Sequence, residues 1–115
     1  MKENSSGALE PFHDAKDLIK MVPDVEKFAN LSCIQLINID STNMDSSTWT
    51  KIAKTIIENK NNYDGFVITH GTDTMAYTAS ALSYALHNIN KPIIITGSQK
   101  PLRDIPSDAP NNLIN

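Results

Sequence analysis

Three apolar runs of strand length, each ending in small polar residues, dictate most of what this chain can form. They are SCIQLINI at 32–39, GFVIT at 65–69 and PIIIT at 92–96. The first leads into the polar loop DSTNMD, the second into HGTDT and the third into Gly97-Ser98. Helical patterns lie between them. Asp45 or Ser46 offers a cap, and Trp49, Ile52, Ala53, Ile56 and Ile57 share one helical face. After HGTDT, Met75, Ala79, Leu82 and Leu86 make a second apolar stripe. Ser107-Asp108-Ala109-Pro110 reads as the start of another helix. Ahead of the first strand, residues 1–14 read as irregular. Residues 14–21 read as a short helix capped by Asp14, and 24–30 as a second short helix. Strands this continuous in apolar character suit a sheet covered on both faces. The expectation is an α/β fold: three-layer, with a mostly parallel sheet and helices on both faces.

Parallel strands bring their carboxyl ends to one edge of a sheet, where open α/β sheets bind ligands. Here that edge carries Asp40-Ser41-Thr42, Gly71-Thr72-Asp73-Thr74 and Thr96-Gly97-Ser98. Singly, Thr72, Asp73 and Thr74 are ordinary helix caps, Gly71 an ordinary turn glycine, and Ser41 and Thr42 ordinary loop residues. Together they line one edge with hydroxyls and helix-start N–H groups, which suit an anion such as a carboxylate. Asp73 adds a negative charge able to hold an ammonium group. A site that takes both charges side by side suits an amino acid. His70 is an acid/base group by type, but its place at a strand end reads as a packed, hydrogen-bonded side chain.

Composition narrows the alternatives. With 115 residues the chain fits one small domain. Its net charge of −3 comes without any basic run, which argues against nucleic acid as a partner. The lysines between Lys51 and Lys60 are spaced along a helix with Glu58 among them and read as a solvated face. The single cysteine, Cys33, excludes an internal disulfide framework and reads as a core filler. No run is long and apolar enough to span a membrane, and no metal-ligand spacing is present. MKENSSGALEPF has no apolar signal-peptide core, which points to the cytoplasm if Met1 is the true start.

The run ITHGTDTMAYTASALSYAL resembles the second signature of the bacterial-type L-asparaginase family. IDSTNM, followed by a helix with Trp49, resembles that family's substrate-carboxylate loop. KPIIITGSQKP with SDAPNNL resembles its next strand, loop and helix, and SGALEP with DLIKMVPDV resembles the segment leading in. The wording is closer to the cytoplasmic type I branch than to the secreted type II branch. The archaeal amidotransferase subunit of tRNA-linked glutamine synthesis shares the same motifs.

The resemblance implies hydrolysis of L-asparagine to L-aspartate and ammonia through a threonine acyl-enzyme, with no metal and no cofactor. It implies that Thr72 and Asp73 are catalytic, with Asp73 holding the substrate ammonium and orienting a catalytic lysine. It implies a substrate pocket of Asp40, Ser41, Thr42, Gly71, Thr72, Asp73 and Ser98, and a homo-oligomeric full-length form. Two departures qualify it. The family's first signature, T-G-G-T-I, with the threonine regarded as primary nucleophile, does not occur in the sequence, and Lys100 does not match the family's catalytic lysine. Residues 1–115 therefore read as a partial N-terminal domain, without the first strand and the C-terminal domain, and inactive by itself. Two other readings stay open: a binding module that holds an amino acid without turnover, and a piece of the amidotransferase subunit.

Overall fold

A computed structural model describes residues 2–3, 9–10 and 15–115 of the chain. The chain divides into two compact units, Ser41–Gly97 and a second made of Met1–Asp40 with Ser98–Asn115.

The unit Ser41–Gly97 holds α2 (Ser46–Asn59), β3 (Phe66–Thr69), α3 (Met75–Ala85) and β4 (Ile93–Thr96). Of the two caps that the sequence offers, Asp45 is the one used, and Ser46 is the first residue of α2. Asp45 is extended, and its carboxylate accepts the Thr48 N–H at 2.7 Å and the Ser47 hydroxyl at 2.8 Å. Strands β3 and β4 pair in parallel, with Phe66 opposite Ile93 and Thr69 opposite Thr96, and α3 makes the crossover between them. Helix α3 lies against both α2 and β4. The core here is Ile52, Ala53 and Ile56 from α2, with Thr78, Leu82 and Leu86 from α3 and its end.

Three details depart from the expected faces. On α3 the expected Leu82 and Leu86 are buried and Met75 is half-buried, but Ala79 is exposed and Thr78 takes the buried place instead. The polar Thr78 is buried with its hydroxyl hydrogen-bonded to both Trp49 and His70. Ile57 also turns outward. The strands were expected to be covered on both faces, yet Val67 and Ile94, partners in register, are 62% and 55% exposed. Alternate strand residues point to opposite faces, and only the face of Phe66, Ile68, Ile93 and Ile95 is partly covered in this chain.

The second unit contains β1 (Lys2–Glu3) and β2 (Leu9–Glu10), α1 (Ala15–Met21), a 3-10 turn at Pro23–Lys27 and α4 (Ala109–Ile114). β1 and β2 form a short antiparallel ribbon, where the sequence reading had irregular chain. The remainder of that reading, including Asp14 as a cap, lies outside the described residues. The expected helix at 24–30 is the 3-10 turn, begun by Pro23, which lies against α4. Val22 and Ala109 are buried here.

The expected strand at 32–39 is not a strand. Its residues are irregular, and no strand among the described residues pairs with them. A strand exists through its ladder, and apolar character alone does not supply a partner. Instead Gln35 ties the run down: its side-chain oxygen accepts the Ala15 N–H at 2.6 Å, and its amide donates to the Ile37 carbonyl at 2.7 Å. The three-strand expectation thus reduces to two parallel strands among the described residues, within an α/β fold.

Candidate active site

The corner after β3 is built by close backbone approach. The His70 N–H donates to the Thr96 carbonyl at 2.8 Å, which carries the ladder one residue past β3. Gly71 follows in an extended conformation, then a 3-10 turn at Thr72–Thr74 leads into α3. Gly71 faces Ser41. A Cβ on Gly71 would stand 2.6 Å from Ser41 Oγ and 2.7 Å from Ser41 Cβ, so only glycine fits without displacing the serine. Gly97, just after β4, sits so close to the His70 carbonyl that a Cβ there would overlap it. The same Cβ would lie 3.4 Å from the Thr72 methyl group. The sequence marks these glycines as turns; the structure shows that their missing side chains let three chain segments meet.

Ser41 opens its own 3-10 turn, Ser41–Asn43, and is 6% exposed. The Thr74 hydroxyl donates to the Ser41 carbonyl at 2.7 Å, which locks the two turns together. Thr72 is half-buried beside this joint, and Asp73 and Thr42 are exposed. Ser41, Gly71 and Thr72 therefore come together in one unit, with Gly97 against Thr72. Asp40 and Ser98 belong to the other unit. There, the Asp108 carboxylate shapes the loop after Ser98, accepting the Gln99 and Lys100 N–H groups at 3.0 Å each. Those two bonds, Gln99 first, hold its carboxyl below the usual carboxylate range.

Behind the corner runs a set of bonds that the sequence did not single out. The Trp49 indole N–H donates to Thr78 Oγ1 at 2.9 Å. Thr78 Oγ1 lies 2.9 Å from His70 Nε2, and His70 Nδ1 lies 2.6 Å from the Gly71 carbonyl oxygen. His70 is thus bonded through both ring nitrogens. The available signal was a polar residue, Thr78, on the buried side of α3, two turns beyond His70.

Chemically, the corner offers a half-buried hydroxyl on Thr72, a carboxylate on Asp73 and the opening N–H groups of a helical segment. Such N–H groups lack partners within the helix and favour negative charge. Among the described residues no group of three His, Cys, Asp or Glu side chains is placed to hold a metal ion.

The whole chain, residues 1–115, matches the family described as "Asparaginase, N-terminal". It is 56% identical over 77 residues to L-asparaginase 1 of Escherichia coli (strain K12), covering 67% of this chain and 23% of that protein. It is 43% identical over 112 residues to a glutamyl-tRNA(Gln) amidotransferase subunit of Aeropyrum pernix, covering 94% of this chain and 26% of that one. Among solved structures, L-asparaginase I from Vibrio cholerae superposes with a TM-score of 0.63 at 54% identity, over 68% of this chain and 24% of that chain. The chain spans about a quarter of the length of the curated relatives it matches. With the His-Gly-Thr-Asp-Thr corner built as described and the family match running from end to end, this chain belongs to the asparaginase family, in its N-terminal domain.

Proposed function

We propose that the chain is part of an L-asparaginase-type amidohydrolase, which hydrolyses L-asparagine to L-aspartate and ammonia. The observation that carries this reading is the joint of Ser41, Gly71 and Thr72. It sets a hydroxyl, a carboxylate and helix-start donors within one short turn in a chain that matches the asparaginase family throughout. In this reading the donors and the Ser41 turn take the α-carboxylate, and Asp73 takes the α-ammonium. Thr72 faces the side-chain amide, where it attacks or polarises. A threonine oxygen adds to the amide carbon, the C–N bond breaks and the amide nitrogen takes up the hydroxyl proton to leave as ammonia, and water then cleaves the ester to release aspartate and restore the hydroxyl. The oxyanion on the way needs fixed donors, which helix-start N–H groups supply. The resemblance assigns substrate-binding roles to Asp40, Thr42 and Ser98 as well.

In this reading Thr72 and Asp73 are the catalytic groups that residues 1–115 contribute. The proposed setting is cytoplasmic and the full-length form homo-oligomeric, as the type I wording implies. Among the described residues no helix is long and apolar enough to cross a membrane.

Titration of the 15N-labelled chain with L-aspartate, alongside an ammonia-release assay with L-asparagine, tests the reading. Saturable shifts at Ser41, Thr72 and Asp73, lost in Asp73→Ala, support it. Absence of binding, or binding indifferent to Asp73, sinks the amino-acid site. Ammonia release that Thr72→Ala abolishes sinks the inactivity of the isolated chain.

A second reading has its own support, the 43% identity over 94% of the chain to an amidotransferase subunit. It predicts that L-glutamate competes with L-aspartate on equal terms in the same titration.

A further inference from the structure

Gly71 is the residue of the corner with the widest intrinsic choice of backbone conformation. Its lack of a Cβ lets Ser41 approach, and it also leaves the Gly71 backbone with more freedom than any other residue would have. The peptide that joins Gly71 to Thr72 carries the Gly71 carbonyl and the Thr72 N–H in one rigid plane. Whatever holds that carbonyl also aims that N–H and sets where the Thr72 side chain starts. The carbonyl is held by His70, whose Nδ1 lies 2.6 Å from it.

The direction of each bond follows from what the groups can donate. A carbonyl only accepts, so the hydrogen sits on Nδ1. An indole N–H only donates, so Trp49 takes a lone pair of the Thr78 hydroxyl. The Thr78 hydrogen is then available to Nε2, 2.9 Å away. A neutral His70 with its hydrogen on Nδ1 satisfies all three bonds at once. The other neutral form would set a bare nitrogen against the Gly71 oxygen. Thr78 is 0% exposed, so water does not compete for its hydroxyl.

We propose that His70 and Thr78, backed by Trp49, are positioning residues for Thr72. Their relay fixes the Gly71–Thr72 peptide and so aims the hydroxyl and N–H of the candidate catalytic threonine. The proposal rests on the reading of Thr72 as a site residue. It goes beyond packing, because packing alone would be indifferent to which ring nitrogen is kept.

Three variants of the 15N-labelled chain separate the two. His70→Asn places a donor where Nδ1 stands, His70→Gln places an amide where Nε2 stands, and His70→Ala provides neither. Imidazole 15N spectra are expected to show the hydrogen of His70 on Nδ1; the opposite form overturns the relay. The Thr72 amide signal and its exchange protection should stay near those of the parent in His70→Asn and move in His70→Gln and His70→Ala. L-Aspartate should bind about 3- to 10-fold more weakly to the last two, the effect of one lost hydrogen bond. Equal behaviour of His70→Asn and His70→Gln, or an unmoved Thr72 amide in His70→Ala, overturns the proposal. Should His70→Ala fail to fold, Thr78→Val and Trp49→Phe are milder probes. An unchanged His70 spectrum in both overturns the relay. If the parent chain binds no L-aspartate, the amino-acid reading has failed, while the His70 and Thr72 spectra still decide the positioning.

Discussion

At the scale of single residues, the corner depends on atoms that are missing. Gly97 faces the backbone carbonyl of His70, and backbone cannot swing aside. Gly71 faces Ser41 Cβ at 2.7 Å from the place of a Cβ, an atom also fixed to its own backbone. Gly97→Ala is therefore expected to destabilise the chain by about 1–3 kcal/mol, the usual cost of overpacking. Gly71→Ala should be partly rescued by Ser41→Gly, which removes the obstructing atoms. Urea titrations followed by Trp49 fluorescence check both, since Trp49 is the only tryptophan. Additive effects for Gly71→Ala and Ser41→Gly would show that the two residues do not meet. Ser41, Gly71 and Thr72 are legible in the sequence as neighbouring strand ends, and His70 as a hydrogen-bonded residue. Their partners are not legible there, because Trp49, Thr78 and Gly97 meet the corner from three separate segments.

At the scale of elements, helices were more legible than strands. A helix carries its own hydrogen bonds, so caps and periodicity suffice to place α2 and α3. A strand borrows its bonds from a neighbour, which explains why 32–39 reads as a strand and is none among the described residues. On α3 the apolar stripe holds at Leu82 and Leu86 and departs where Thr78 is buried in place of Ala79, since periodicity counts Thr78 as polar and does not see its partners. Leu82 belongs to the observed stripe at 3% exposure, and Leu82→Ala should cost about 2–5 kcal/mol. Tyr84→Ala, on the open side of the same helix, should stay within about 0.5 kcal/mol of the parent. Thermal melts of the two variants settle which face is buried. The cap of α2 has a pH signature. The Thr48 N–H, then the Ser47 hydroxyl, hold the Asp45 carboxyl below its usual range. A lowered folded-state value means that the stabilisation is complete above the ordinary carboxylate range of about 4 and fades as pH falls through the folded value. Exchange of the Thr48 amide should accelerate relative to the mid-helix amides as pH drops below about 4. Asp45→Asn, which keeps an acceptor without a titrating charge, should remove that trend.

At the scale of the whole molecule, the sheet sets the chain's behaviour in solution. Two parallel strands of four residues each leave both sheet edges without a strand partner among the described residues. Parallel strands are normally covered on both faces, yet Val67 and Ile94 stand side by side on an open one. An apolar pair on an open face, flanked by unpaired edges, is a template for contact with another chain. The chain should therefore self-associate as its concentration rises, with a sedimentation coefficient that climbs over the range studied. Ile94→Lys places a charge in the middle of that face without touching Thr72, Ser41 or the Trp49–Thr78–His70 relay. It should lower the association while leaving the Thr72 and Trp49 indole signals in place. Association that persists unchanged in Ile94→Lys would mean that contact forms elsewhere, with the edges or the exposed aromatics of α3 as the next surfaces to test. A monomer at all concentrations would mean that this face is protected in solution in a way that its exposure does not suggest.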